Sequence, residues 1–286
     1  MKISLLIVTK NRHASLEECL ISISRQELLP NEVVLVENND HKNLISLVKK
    51  YKHLNIKYVL EVKPGISFAR NTALSIASGE IFAFIDDDCI LTKKWIKTIK
   101  DEFLRYEKTA VLVGSTRNFF KNNLIAKTEQ KIFQNWLSSY ISTNSRQVLN
   151  SGIFVDTKNV AFRSLILRKY KMRFDEMTSF KGEDTVFGLL LERKLANNEK
   201  IIYSPEMMLF HKNNRILYSF LYKRMLEGKE QYYLKRRFGD FEPKIRNRNK
   251  ILFNAISFTL LCYLARLFNR FGYYFAVISG SRNSYV

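Results

Sequence analysis

Residues 65–88 read GISFARNTALSIASGEIFAFIDDD, and the predicted architecture is built outward from this stretch. Apolar side chains recur at helical spacing over residues 68–78, and we expect Gly79 to cap that helix. An apolar strand follows over residues 81–85 and leads directly into three acidic residues. A helix that runs into a buried strand is typical of the repeating unit of α/β proteins.

The sequence before this stretch repeats the same alternation. Apolar runs at 3–8, 32–37 and 56–62 predict strands, and helical spacing recurs at 16–25 and 44–51. Such an order predicts right-handed crossovers and a mostly parallel sheet with helices on both faces. Ligands bind such sheets at the carboxyl ends of the strands, so polar residues directly after strands are the candidates for a site.

The remaining elements are less regular. We expect helices at 95–106, 164–170 and 185–195, strands at 110–113 and 200–203, and a strand-and-loop region at 150–162. Residues 119–147 are polar with scattered aromatic residues. The first apolar run meets polar residues at position 9, which indicates a buried first strand and not an export signal.

Composition narrows the class of protein. The chain has 286 residues, 46% apolar and 26% charged, which is typical of a folded protein near the upper size for one core. Its net charge of +20 predicts attraction to polyanions, which could be nucleic acid, an anionic membrane or phosphorylated ligands. Three cysteines without CxxC spacing argue against a disulfide framework and fit a reducing compartment. The sequence contains no GxGxxG, P-loop or GxSxG motif.

Asp86, Asp87 and Asp88 form an acidic run at the end of a predicted buried strand. Adjacent carboxylates repel each other unless a cation is present, and oxygen ligands favour Mg²⁺ or Mn²⁺. Alternate residues of the run, Asp86 and Asp88, can turn toward one site. A solvated acidic turn is the simpler alternative, but the position after a buried strand favours a metal.

Three further features could complete a site. Pro64-Gly65 predicts a turn, Ser67 a helix cap, and Arg70 an anion contact. Glu183 and Asp184 open a helix, where one carboxylate could serve as a general base. His211 ends an apolar run and could add an imidazole to a carboxylate metal site.

In this order, the segments resemble the family 2 glycosyltransferases of the GT-A fold, of the type that builds bacterial surface polysaccharides. SLLIVTKNR at 4–12 resembles their first strand and nucleotide loop. Residues 65–90 resemble their central segment, which ends in the DxD motif. Residues 158–211 resemble their acceptor half, with its Glu-Asp pair and later histidine. The resemblance covers about residues 2–215 and implies a Rossmann-like, mostly parallel sheet.

The resemblance implies a role for each matching residue. Members usually carry an Asp that touches the base at the end of the second strand, and here that position is Glu37. The residues implied in nucleotide-sugar binding are Thr9, Asn11 and Arg12 beside the base, Glu37 against it, Arg70 near the diphosphate or sugar, Asp86 at the ribose, and Asp87. Asp88 and His211 would hold Mg²⁺ or Mn²⁺. Asp184 would be the catalytic base, with Glu183 beside it.

The implied reaction is a single displacement at the anomeric carbon of a nucleotide-diphospho-sugar. One base on one face suffices for it, so inversion is expected. The acceptor would be a hydroxyl of a glycan or of a lipid-linked molecule. Residues 1–115 would form the nucleotide-sugar half, 116–215 the acceptor half, and 216–286 a helical C-terminal extension.

Two other classes compete with this interpretation. A GT-A-like module without catalysis could dock on a membrane or polyanion, although the joint retention of Asp86, Asp88, Asp184 and His211 argues against lost activity. A nucleotidyltransferase also uses a parallel sheet and paired aspartates, but would usually show a Gly-rich loop after its first strand. Thr9-Lys10-Asn11-Arg12 contains no glycine. No recognition motif supports nucleic-acid binding.

The C-terminal extension is basic and apolar. Residues 212–250 hold twelve Lys/Arg against four Asp/Glu, with basic clusters at 236–237 and 244–250. An apolar run over 251–265 is broken by Arg266 and Arg270 and resumes at 271–278. This pattern predicts either a helix in the interface of an anionic membrane or a helical hairpin that packs on protein. The membrane alternative makes the protein a peripheral enzyme on the cytoplasmic face of a bacterial inner membrane.

Overall fold

The computed structural model of the protein describes residues 1–38, 44–176, 182–213, 215–242 and 256–279, with the backbone alone for 256–259. The chain forms two compact units. The first contains Met1–Arg117, Thr143–Met177 and Asp184–His211, and the second contains Asn118–Ser142, Thr178–Glu183 and Lys212–Val286. The predicted acceptor half is therefore divided between the units, and the functional division at residue 115 stays a prediction.

A nine-stranded sheet, counted over the described residues, organises the first unit. Its order is β3-β2-β1-β4-β8-β6-β9-β5, with β7 beside β9. The strands are β1 (Ile3–Thr9), β2 (Glu32–Asn38), β3 (Ile56–Glu61), β4 (Ile81–Asp86), β5 (Cys89–Leu91), β6 (Thr109–Asn118), β7 (Gln147–Leu149), β8 (Asn159–Arg163) and β9 (Lys200–His211). β3, β2, β1 and β4 are parallel, as predicted, while β4–β8, β6–β8, β5–β9 and β7–β9 pair antiparallel.

Nine α-helices occur among the described residues. They are α1 (His13–Ser24), α2 (Ile45–Lys50), α3 (Ile66–Ile76), α4 (Trp95–Arg105), α5 (Leu124–Tyr140), α6 (Ser164–Lys169), α7 (Glu183–Glu192), α8 (Leu217–Phe238) and α9 (Ile256–Ser279). Short 3₁₀ turns lie at Lys52–Leu54 and Gly152–Phe154.

Both faces of the sheet are covered by apolar side chains, because β1 is apolar at consecutive positions. Leu5 of β1 belongs to the core that contains Leu16 of α1 and Trp95 of α4. On the other face, Phe84 of β4 meets the ring of Phe174 with centroids 5.8 Å apart. Because both faces of these strands are packed, a shift in strand register would disturb buried contacts. The register therefore fixes where the strand ends lie.

The two caps predicted for α3 are wrong. The helix begins after Gly65, whose φ of 136° is accessible mainly to glycine, and Ser67 lies inside its first turn. The helix ends before Ala77, which is extended. Gly79 instead lies against β1, where a Cβ atom would come 2.6 Å from Oγ of Ser4.

Helix α5 lies within the polar stretch at 119–147, for which the sequence pattern predicted no helix or strand. Polar residues of this helix are buried: Glu129 is 4% exposed. Its carboxylate pairs with Lys223 of α8 and lies 3.8 Å from the guanidinium of Arg224. Buried ion pairs of this kind leave no apolar periodicity in the sequence.

The C-terminal extension contains α8 and α9, which pack closely together within the second unit. A Cβ atom on Gly228 would lie 1.8 Å from the carbonyl oxygen of Asn269, and one on Gly272 would lie 1.9 Å from that of Met225. Helix α9 continues through Arg266, where two separate apolar halves were predicted. The predicted basic cluster at 244–250 and the start of the apolar run at 251–255 lie outside the described residues.

Among the described residues, no helix combines the length and the apolar character that a bilayer crossing requires.

Candidate active site

The acidic run lies at the carboxyl end of β4, next to the end of β1. β4 ends at Asp86 and β5 begins at Cys89, so Asp87 and Asp88 form the turn between the two strands. Val8 of β1 is in register with Asp86. This alignment brings the residues that follow β1 beside the carboxylates.

His211 reaches the same place through strand pairing. β9 runs antiparallel to β5, with His211 opposite Cys89, and the imidazole therefore lies beside Asp88. Nε2 of His211 is 3.2 Å from Oδ1 of Asp88. One ligand atom each from Asp86, Asp88 and His211 lies within 4.8 Å of the others. The structure thus brings His211 to two aspartates that lie more than a hundred positions before it in the sequence.

Two arginines face the acidic run. The guanidinium of Arg12 lies 3.0 Å from Oδ1 of Asp87 and 2.9 Å from Oδ2 of Asp88. Arg70 lies 3.9 Å from Oδ1 of Asp86, and the hydroxyl of Thr9 donates to Oδ2 of Asp87 over 2.7 Å. The repulsion predicted for three adjacent carboxylates is therefore partly offset by protein cations.

The net pKa shifts of the two buried-turn carboxyls, Asp87 and Asp88, have opposite directions. Burial raises the pKa of Asp87 to about 6, although Arg12 and Thr9 oppose the rise. Burial also disfavours ionisation of Asp88, but His211 and Arg12 outweigh it and hold the pKa of Asp88 below its ordinary value. Both carboxyls are therefore mostly ionised at neutral pH, and Asp88 stays ionised to lower pH than Asp87, as a metal ligand must be ionised.

The cluster fits a divalent cation. Oδ1 of Asp88 is buried and accepts no hydrogen bond from the described residues, although Nε2 of His211 is close to it. A buried carboxylate oxygen without a hydrogen bond is costly unless a cation satisfies it. Two carboxylates and an imidazole form a donor set that Mn²⁺ accepts, and Mg²⁺ is compatible with the two carboxylates.

Arg70 is held against a residue that the sequence did not single out. Its guanidinium lies 5.4 Å from the ring centroid of Phe174, and the arginine is 4% exposed. Asn71 positions that ring: its side chain donates to the carbonyl of Phe174 over 2.9 Å and accepts from the Phe174 N–H over 2.8 Å. The sequence contained one signal for this contact, the adjacent Arg70 and Asn71 before the predicted buried strand. It contained none that identified Phe174 as their partner.

The last residue of β2 holds the turn that precedes α3. The side chain of Asn38 donates to the carbonyl of Lys63 over 2.7 Å and accepts from the Gly65 N–H over 3.0 Å. It thereby holds the turn that precedes α3. Glu37 is buried and accepts a hydrogen bond from the hydroxyl of Tyr58. Its predicted contact with a base stays a prediction.

The remaining predicted residues occupy other positions. Asn11 follows β1 with a φ of 56°, a left-handed conformation that asparagine tolerates. Glu183 and Asp184 begin α7, where Glu183 accepts from the Gly182 N–H and Asp184 from the Thr185 N–H. Their assignment as catalytic pair stays a prediction.

The model of the family described as "Glycosyl transferase family 2" matches residues 4–171. The chain belongs to this family. It is 39% identical over 103 residues to the uncharacterized glycosyltransferase YwdF of Bacillus subtilis (strain 168), a match that covers 36% of this chain and 38% of that protein. It is 25% identical over 222 residues to chondroitin synthase of Pasteurella multocida (strain Pm70), covering 67% and 23%. The matched segment thus spans well under half the length of both relatives.

Solved structures show the same fold. Residues 1–349 of TarS from S. aureus superpose with a TM-score of 0.60 at 18% identity, covering 100% of this chain and 93% of that one. The mannosyltransferase PcManGT from Pyrobaculum calidifontis, solved with GDP-Man and Mn²⁺, gives a TM-score of 0.63 at 17% identity, covering 99% and 76%. The GT-A fold expected from the resemblance is therefore confirmed.

Proposed function

We propose that the chain is a metal-dependent, inverting glycosyltransferase that moves a sugar from a nucleotide-diphospho-sugar to a hydroxyl of a glycan or lipid-linked acceptor. The observation that carries this proposal is the grouping of Asp86, Asp88 and His211 within 4.8 Å at the carboxyl end of β4. Family membership supports the reaction class. Structures of TarS with UDP-GlcNAc and of PcManGT with GDP-Man support a nucleotide-sugar donor. The likeness to chondroitin synthase supports a role in cell-surface polysaccharide synthesis.

The residues at the strand ends have two proposed roles: some would bind the cation, and others position the cation ligands. Asp88 and His211 would hold Mg²⁺ or Mn²⁺, with Asp86 within reach. When bound, the cation stabilises the negative charge of a leaving diphosphate. Arg12 fixes the orientation of Asp87 and Asp88 through its two ion pairs. Thr9 adds a hydrogen bond to Asp87, so the turn is anchored from β1.

Donor contacts are proposed for the residues that surround the metal group. Arg70 is a buried cation beside Asp86 and would attract the diphosphate or the sugar. Glu37 and Asn11, at or just after the carboxyl ends of β2 and β1, would contact the base together with Thr9 and Arg12.

Asp184 is proposed as the base that removes the proton of the acceptor hydroxyl, with Glu183 as its neighbour. Both residues lie at the start of α7. A base on one side of the sugar and a leaving group on the other give inversion at the anomeric carbon.

The metal assignment is tested on the full chain with UDP-, GDP- and dTDP-sugars, by donor hydrolysis and by protection from thermal unfolding. We expect Mn²⁺- or Mg²⁺-dependent protection by one donor, which Asp88→Asn abolishes because it removes an anionic ligand. Asp101→Asn, at an exposed site on α4, is the matched control and should behave as wild type. Undiminished activity in excess EDTA would show that the metal assignment is wrong.

The base is tested separately by Asp184→Asn. Turnover should fall by about two to four orders of magnitude, as expected when a general base is lost. Donor affinity, measured by titration with Mn²⁺ present, should change little because the donor contacts are elsewhere. A variant with near-normal turnover refutes the role of Asp184 and leaves the metal site untouched.

We further propose that the protein works as a peripheral enzyme on the cytoplasmic face of a bacterial inner membrane. A lipid-linked acceptor would be presented there, and the basic C-terminal extension supports attraction to anionic lipid.

A further inference from the structure

Helix α9 turns small side chains toward its protein contacts and large apolar ones outward. Its buried positions include Cys262, Ala265, Gly272 and Ala276. Nine large apolar residues are more than a third exposed, and we call them the outer face of α9: Leu260, Tyr263, Leu267, Phe268, Phe271, Tyr274, Phe275, Val277 and Ile278. A helix that packs only on protein would have the opposite arrangement, with large apolar residues inside.

The outer face is large. Its five aromatic residues are 37–62% exposed. At about 150–250 Å² for each ring, they present roughly 500 Å² of apolar surface before the four aliphatic residues are counted. The largest apolar patch of a typical monomer is about 300–600 Å² in total. A surface of this size indicates an apolar partner.

The charges around the outer face indicate which partner. Helix α9 contains no acidic residue, and both of its arginines, Arg266 and Arg270, are exposed. From α8, the ammonium of Lys229 lies 4.6 Å from the ring centroid of Phe275, so a third cation borders the face. A second copy of the chain would bring the same cations and no acidic residue from α9. An anionic surface complements them.

We propose that the outer face of α9 docks onto an anionic phospholipid surface, with the helix lying in the plane of the interface. Aromatic and aliphatic side chains would enter the boundary between headgroups and acyl chains, while Arg266 and Arg270 would pair with lipid phosphates. The exposed apolar residues of α9 lie along one side of the helix, so contact along that side is the geometry expected.

The second unit also contains Glu183, the first residue of the predicted catalytic pair. The carboxylate of Glu230 on α8 packs so close to Gly182 that a Cβ atom there would lie 2.5 Å from Oε1 of Glu230. Gly182 directly precedes Glu183 and Asp184, and α8 is the helix on which α9 packs. Resting here on the proposed function, we infer that docking of α9 serves a transferase whose acceptor is lipid-linked.

The test is co-sedimentation of the full chain with phosphatidylglycerol-containing vesicles and with phosphatidylcholine vesicles. We expect binding to the anionic vesicles that weakens with salt. Phe271→Ser/Ile278→Ser should reduce the partition coefficient by at least about tenfold, because two side chains exposed at 59% and 77% lose their apolar contact. The matched control is Leu104→Ser/Leu165→Ser in the first unit, where exposures are 56% and 67%, and it should bind as wild type.

The charge contribution is tested by Arg266→Gln/Arg270→Gln. Binding to anionic vesicles should fall roughly fivefold for each arginine, while binding to phosphatidylcholine stays the same. Equal binding of the Phe271/Ile278 variant and of the Leu104/Leu165 control overturns the proposal. The proposal is also overturned if the wild-type protein does not bind vesicles and sediments as a dimer that the Phe271/Ile278 variant converts to a monomer. Donor hydrolysis without vesicles is scored in parallel, so failure of docking and failure of the proposed transferase activity are distinguishable.

Discussion

Replacing Asn71 by alanine tests how the buried side chain next to Arg70 supports the site. In the structure its amide group makes two hydrogen bonds with the backbone of Phe174 and a third, over 2.8 Å, with Oε1 of Glu176. Asn71 is 5% exposed and Phe174 is 2% exposed, so water cannot replace these bonds without rearrangement. The variant leaves a buried N–H and a buried carbonyl without partners.

The expected cost follows from those two groups. Each buried polar group that loses its partner costs about 1–3 kcal/mol, so Asn71→Ala should lower the free energy of unfolding by about 2–6 kcal/mol. That is a large part of the roughly 5–15 kcal/mol that holds a typical domain folded. Donor affinity should also fall, because the ring of Phe174 supports the guanidinium of Arg70.

Urea unfolding followed by circular dichroism measures the effect. The midpoint should move to lower urea while the slope stays the same. The control is Ser75→Ala on the same helix, whose exposed hydroxyl bonds only to the carbonyl of Thr72 in the preceding turn, and it should stay within about 0.5 kcal/mol of wild type. An Asn71→Ala variant as stable as this control would refute the role given to the Phe174 tether.

Two other variants test the frame around the site. Glu32 is buried at the start of β2; burial opposes its ionisation, but hydrogen bonds from Lys57, Ser4 and Ser78 outweigh it and lower its pKa to about 2. The ionised Glu32 therefore stabilises the fold by about 2–3 kcal/mol above pH 4.5, and this stabilisation is lost as the pH falls toward 2. The difference in the free energy of unfolding between wild type and Glu32→Gln, measured by urea titration, should shrink across that range. Gly272→Ala should destabilise the packing of α8 against α9 by about 1–3 kcal/mol despite the better helix propensity of alanine, because its Cβ meets a backbone carbonyl; a raised melting temperature in circular dichroism would contradict this close contact.

Local sequence pattern alone predicts the parallel half of the sheet and the position of the acidic run. Strands that are buried on both faces are continuous apolar runs, and helices between them have a different period, so β1 to β4 could be predicted from local pattern. The polar residues at the strand ends were predictable for the same reason, since the carboxyl ends of parallel strands meet at one edge.

Which side chains of the site lie next to each other depends on long-range strand pairing and packing. His211 reaches Asp88 only through the register of β9 with β5, and Arg12 reaches Asp87 only because β1 lies beside β4. Helix α5 escaped prediction because its buried Glu129 is satisfied by Lys223, a residue far along the chain. The outer face of α9 likewise depends on which side packs on protein. Long-range pairings of this kind leave no local period in a sequence, because partner and position are set by the packing of distant elements.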